Sequence, residues 1–425
     1  MADIVIVQDA LTTGAGPQTF QSGESWTPVG ALFFLSYGTA AGTAVDHAMF
    51  SIGATDGTNN RNMAFASEDG QATTDTGAIT STTRCVTSLL NTDQTLNAAA
   101  FFSAWTAGGV TLSISTPFPA GYLLTVVLFG PGAVANFATG NDTTPGVQDT
   151  SVTETLGFPA DLVIAWTASA NTTHSRPTLG FVINDGANKQ RSINSDDGNG
   201  VTTSDVLSRL STSYVSMPAS ATTIAMQIQE FDATSFKAYT RLGTTALPFH
   251  YVAIKLATGL TAKLVTSASP IGTGSHSITG AGITPQFGLM LHSANPTVDV
   301  RESNDDAEVF GLSAFTAGGS ASIAIFSEDG LATGSDTESI TDTKPVSLRK
   351  DHADFMTATF TAFNSDGAEF NYSTANGTAR QRAVLFIQSS AGAAFTIAAT
   401  TAPYNLTGTA AVLRPTSITI LEHRR

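Results

Sequence analysis

Three apolar runs, each opened by a proline, recur along the chain. Pro28 leads into GALFFLSY, Pro159 into DLVIAWTA and Pro285 into FGLMLHSA. Each run has the length of a strand rather than of a helix. In the second, Leu162, Ile164 and Trp166 alternate with Val163, Ala165 and Thr167, which gives a strong face and a milder one. Later in each stretch comes a closing apolar strand: Tyr122–Phe129, His250–Leu256 and Arg382–Ile387. Ala225–Gln229 and Phe236–Tyr239 flank the turn DATS as a hairpin, with Met226, Ile228 and Phe236 on one face. MTATFTAF–NSDG–AEFNYST repeats that arrangement and makes partners of Phe360 and Tyr372. Short strands with turn signals every ~8–12 residues predict an all-β chain of antiparallel β-sandwich or jelly-roll-like domains. The best helix candidate is Thr203–Ser211, matched to Thr87–Leu96, and neither carries convincing caps.

Further landmarks keep the same order. Ser-acid-Asp-Gly occurs as Ser67–Gly70, Ser195–Gly198 and Ser327–Gly330, and an aromatic stands before a turn at Trp105, Phe231 and Phe363. A period of about 128 residues is too long for a solenoid unit and suits a small domain. The reading is three tandem homologous sandwiches over 20–132, 148–259 and 274–389. Linkers at 133–147 and 260–273 separate them, with an N-terminal arm at 1–19 and a C-terminal arm at 390–425. Both arms hold apolar runs too short for a core of their own: Ile4, Val5, Ile6 and Val7 at one end, Phe395–Ile397 and Ser417–Leu421 at the other. They must complete a sheet in this chain or pair with a neighbouring subunit. Ile4–Val7, Ile418 and Ile420 are therefore the candidate assembly residues.

Composition narrows the function. Lys and Arg number 19 against 34 Asp and Glu, for a net charge of -15, and charged residues make up only 12% of the chain. That is about half the usual share. With no Lys/Arg cluster there is no stripe to neutralise phosphates, so nucleic acid is an unfavourable partner. No run reaches the ~18 apolar residues of a membrane helix. The start MADIVIVQDALTTG has an acid at Asp3 and no basic segment, which predicts no signal peptide. Cys85, the single cysteine, excludes a disulfide within the chain and reads as a buried thiol.

Candidate chemistry is sparse, and no cofactor is implied. The acid-Asp-Gly turns offer Glu68/Asp69, Asp196/Asp197 and Glu328/Asp329 as oxygen ligands for Ca²⁺, but a tight turn with glycine at positive φ explains them better. Asp305, Asp306 and Glu308 form the densest acidic patch and are a weak cation candidate beside a solvated-loop reading. Seven scattered histidines make no metal or catalytic motif, and His250 and His292 sit inside apolar strands as core or sheet-face histidines. Trp105, Phe231 and Phe363 invite a glycan-stacking role, against packing beneath a hairpin. Burial of these rings would favour a scaffold, and a shared solvent-facing row a lectin. Nothing marks a catalytic residue, and the chain is read as no enzyme.

Tandem Gly/Thr/Ser/Ala-rich β domains, with openings such as GFPADLVIAWT and closings such as YVAIKLATG, resemble the virion structural proteins of tailed bacteriophages. The resemblance is one of style over the whole chain. It implies a homo-oligomeric tail, fibre or capsid-surface component, made in the host cytoplasm and resident in the virion, with itself and other virion proteins as partners. A surface poor in Lys and Glu suits repeated interfaces, because less side-chain entropy is lost on burial. The alternative is a carbohydrate-binding adhesin that recognises host surface glycans. A polysaccharide depolymerase fits less well, since it calls for a long acid-lined β-helix.

Overall fold

The computed structural model describes residues 4–90, 95–170, 174–186, 189–212, 215–217, 224–300, 308–332, 335–350, 353–388 and 396–397. Every regular element among them is a β-strand, and the strands form six sheets in which one plan occurs three times. In unit 1 the inner sheet runs Ile4–Ala10, Leu123–Phe129, Gly30–Leu35, Ala48–Thr55, Asn60–Ser67, Thr76–Ser81. Its outer sheet is Gly16–Gln21, Gly109–Thr116, Leu96–Thr106, Val86–Leu89. Unit 2 repeats the inner order with Val134–Thr143, Pro248–Leu256, Leu162–Ala170, His174–Ile183, Gln190–Gly198 and Val206–Ser211. Unit 3 does so with Thr261–Ala268, Gln381–Gln388, Phe287–Ser293, Glu308–Thr316, Gly319–Ser327 and Thr337–Asp342. Each of these has its own four-stranded outer sheet, and all neighbours in this plan are antiparallel. The all-β, antiparallel sandwich architecture expected from the alternation is the one observed.

Two kinds of core hold it together. Within each unit, one face of the inner sheet packs on the outer sheet: Phe33, Val126 and Leu112 in unit 1, Val163, Tyr251 and Phe236 in unit 2, Met290, Phe386 and Phe370 in unit 3. The opposite faces of all three inner sheets meet in a single shared cluster. Leu32 and Phe34, Ile164 and Trp166, and Leu289 and Leu291 all lie in it, fully buried. The central strands are thus covered on both sides, and strands buried on both sides read as continuous apolar runs. That is why GALFFLSY, LVIAWTA and FGLMLHS contain so few polar residues. Gly30 shows how tightly the seam closes: a Cβ there would lie 2.2 Å from the ring of Phe137, on the edge strand of unit 2.

Three expectations are corrected. The segments 133–147 and 260–273 are not linkers, because Val134–Thr143 and Thr261–Ala268 are the edge strands of the inner sheets of units 2 and 3. Their Gly, Asn and Thr content reflects an edge position rather than a free connection. Ile4–Val7 is no unpaired end: it is hydrogen-bonded to Leu123–Phe129 on one side and to Thr396–Ile397 on the other. Ile4 and Ile6 face the shared core, and Val5 and Val7 the core of unit 1. Ser417–Leu421, with Ile418 and Ile420, lies outside the described residues. Finally, the helix candidate Thr203–Ser211 is the strand Val206–Ser211, while its supposed match holds the strand Val86–Leu89 of an outer sheet. Sheet pairing overrides a weak helical pattern when neither end is capped.

Sharing a core makes the three units one cooperative body. Calorimetry should therefore give a single unfolding transition, whereas three separable transitions would mean the units stand independently. Trp166→Ala should cost about 3–5 kcal/mol in urea denaturation and still leave one transition.

Candidate functional site

The three units are tied at one end of the shared core by their acid turns. Gly70, Gly200 and Gly330 stand an even 130 residues apart, and each has φ between 70° and 79°, a region that favours glycine. The amide of Gly70 donates to the Ser335 carbonyl at 2.8 Å, that of Gly200 to Thr74 at 2.8 Å, and that of Gly330 to Ser204 at 2.9 Å. In return the amides of Thr74, Ser204 and Ser335 donate to Val201, Leu331 and Gln71 at 2.9, 3.0 and 2.9 Å. Unit 1 is thereby bonded to unit 2, unit 2 to unit 3 and unit 3 back to unit 1. Side chains repeat the cycle. Asp69 accepts from the Thr337 amide at 2.9 Å, Asn199 from Thr76 at 3.0 Å and Asp329 from Val206 at 2.8 Å. A strand of unit 1, Thr43–Asp46, also adds to the inner sheet of unit 3 beside Thr337–Asp342.

This geometry corrects the motif in unit 2. The counterpart of Ser67-Glu68-Asp69-Gly70 is Asp197-Gly198-Asn199-Gly200, two residues later than Ser195–Gly198. Asp196 is a strand residue, buried and paired with His174 at 2.9 Å and Arg176 at 3.1 Å. The even spacing of Gly70, Gly200 and Gly330 was the signal in the sequence that fixes the frame.

The same frame makes Ser67, Asp197 and Ser327 equivalent, each in the last residues of its strand. The Ser67 and Ser327 side chains approach the Asp197 carboxyl from the other two units and favour its charged form. Burial, the largest influence, pushes Asp197 up to about 7. The charges of Asp196 and Asp205 act the same way, and the two serines oppose it. The end of the shared core therefore holds one buried carboxyl at a position where the other two units have a serine.

The remaining candidates scatter. Trp105, Phe231 and Phe363 are half-buried and pack within their own units: Trp105 on Phe102 at 4.7 Å, Phe231 on Phe236 at 6.2 Å, Phe363 on Phe315 at 5.8 Å. Asp305 and Asp306 lie outside the described residues, and Glu308 begins the strand Glu308–Thr316. Among the described residues no group of three or more His, Cys, Asp or Glu is placed to hold a metal ion, and no helix is long and apolar enough to cross a membrane. Cys85 is buried and its thiol pushed up by that burial. His250 stacks on Trp166, and His292 bonds Ser313 at 3.1 Å. Burial lowers them to about 4 and about 3.

One polar site left no mark in the sequence. Glu154 occupies the position of Phe20 in unit 1 and Ile278 in unit 3, inside the sandwich. Its carboxyl accepts from the Tyr251 hydroxyl at 2.9 Å. Burial first, and then the neighbouring Asp142 carboxyl, push it up to about 7. Only the fold, by aligning Glu154 with two apolar residues, reveals it.

Among the described residues, clefts open at two places on the surface. One of about 450 Å³ lies where unit 2 passes into unit 3, with Asp161, Asp185, Lys255 and Lys263 on its walls. The other, about 350 Å³, is lined by Tyr37, Asp46, His47, Asn97, Pro119 and Tyr122 among others. No protein-family model, curated protein or solved structure matches the chain.

Between the ordinary aspartate value and about 7, the unfolded chain ionises Asp197 while the folded chain keeps its proton. Stability from this group therefore falls as pH rises through that window and is level above it. Asp197→Asn should flatten the decline between about pH 4 and 7 by up to ~4 kcal/mol, read from urea midpoints. Parallel profiles for the two proteins would show that another group titrates. Asp69→Ala, Asn199→Ala and Asp329→Ala should each cost about 1–2 kcal/mol in the same measurement, because each leaves an inter-unit amide unbonded.

Proposed function

We propose that this chain is a structural component of a bacteriophage virion, a rigid block of a tail, fibre or capsid surface. The observation that carries this reading is the closed ring between Gly70, Gly200 and Gly330 and their partners above one shared core. It gives a single chain the build of a trimer. A block of this kind suits a particle with a symmetric axis, where it would meet copies of itself and other virion proteins. The small charged fraction supports the same reading, since contacts made by such a surface depend little on salt. With Ile4–Val7 used inside the fold, self-assembly would run through the edges of the outer sheets, such as Gly16–Gln21 and Val86–Leu89, by strand addition.

A second reading, a glycan-binding adhesin, draws on the cleft beside Tyr37 and Tyr122 rather than on Trp105, Phe231 and Phe363. There, aromatic rings adjoin the polar groups of Asp46, His47 and Asn97.

Native mass spectrometry should give a defined multiple of the 43.8 kDa chain, and electron microscopy ordered assemblies. A chain that stays monomeric at millimolar concentration and does not bind phage tail or capsid proteins overturns the structural reading. Glycan-array binding that is lost in Tyr122→Ala would put the adhesin in its place.

A further inference from the structure

The core of unit 3 contains a charge where its counterparts have none. The amide bonds Val29 to Phe129, Asp161 to Ile254 and Gln286 to Ile387 align the three inner sheets. With that alignment Arg382 takes the place of Leu124 in unit 1 and Phe249 in unit 2. Its neighbours change with it. His292, opposite Arg382, stands where unit 1 has Leu35. On the outer sheet Tyr372 stands for Ile114, and on its edge strand His276 stands for Gln18. Three positions that are apolar in unit 1 are polar together in unit 3, beside a histidine in place of a glutamine.

Arg382 is 2% exposed. Its Nη2 donates to the Ala268 carbonyl at 3.2 Å, which also receives His276 Nε2 at 3.1 Å. Its guanidinium lies over the rings of Tyr372, at 5.5 Å, and Phe370, at 5.9 Å. Among the described residues, Nε and Nη1, and the hydroxyl of Tyr372, are buried without a hydrogen-bond partner. No carboxylate among the described residues offsets the charge: burial alone lowers Arg382 to about 9, and its charge helps to lower both His276 and His292. A buried cation left unpaired costs several kcal/mol, so such groups normally have a counter-ion.

We propose that Arg382, Tyr372 and His276 form a binding site for a small monocarboxylate between the two sheets of unit 3. A single positive charge calls for a monoanion, and the Phe370 and Tyr372 rings beside the guanidinium suit the apolar end of a short organic acid better than a phosphate with its many acceptors. His276 belongs to the edge strand Gly274–Ile278 and is half-exposed, and the preceding residues 271–273 are exposed. A ligand would enter beside this edge strand.

Acetate is the probe, added to the full chain at constant ionic strength, with chloride and phosphate as controls. Acetate should raise the thermal midpoint in a saturable way and broaden its own NMR signal in the presence of the protein. Arg382→Leu, which restores the residue of unit 1, should fold and bind acetate at least tenfold more weakly. Tyr372→Phe should weaken binding without abolishing it. An equal response of wild type and Arg382→Leu, or no NMR effect of acetate on the wild type, overturns the site. A saturable response to chloride or phosphate but not to acetate overturns the assignment to a carboxylate.

Discussion

Leu32, Ile164 and Leu289 come from three different units and exclude water from one another. No inner sheet could stand alone, because its second face would expose a wide apolar surface to solvent. Most of the architecture follows from that burial. The units cannot be beads on a string, so the segments between them are drawn into the sheets as edge strands. The apolar end of the chain, Ile4–Val7, becomes an inner strand for the same reason. Where the shared core ends, the backbone groups of the turns must find partners, and they find them across the units, in the ring around Gly70, Gly200 and Gly330.

Against that apolar frame the polar exceptions stand out, and each belongs to one unit only. Asp197 ends the axis, Glu154 sits inside unit 2, and Arg382 inside unit 3. Each replaces a small or apolar residue in both other units, so none is needed for the sandwich to form. Polar groups kept in a core at a cost to stability mark places where a protein does something beyond folding.

The elements of the fold were largely legible in the sequence. The proline-led and closing runs are continuous apolar stretches of strand length, the hairpin around DATS alternates, and all of them are strands. What could not be read depends on partners distant in sequence. Val134–Thr143 resembles a linker because an edge strand needs few large apolar residues of its own. The frame of the acid turn in unit 2 slipped by two residues because Asp196 and Asp197 imitate the Glu-Asp of the other units, while the residue that does the bonding there is Asn199. Trp166 was legible as core, yet nothing local told that its core belongs to all three units. The candidate sites were less legible still. Glu154 and Arg382 are ordinary surface letters in a sequence, and become unusual only when the fold sets them beside Phe20 and Leu124.

A trimer of identical chains has no means of placing one acid on its axis: it places three or none. Three carboxyls at the position of Ser67, Asp197 and Ser327 would repel one another in a space that excludes water. Joining the units in one polypeptide lifts that restriction, and lets each copy change a residue while the other two keep the packing intact. The lone aspartate between two serines is what such freedom leaves behind, a threefold body with one side distinguishable from the others.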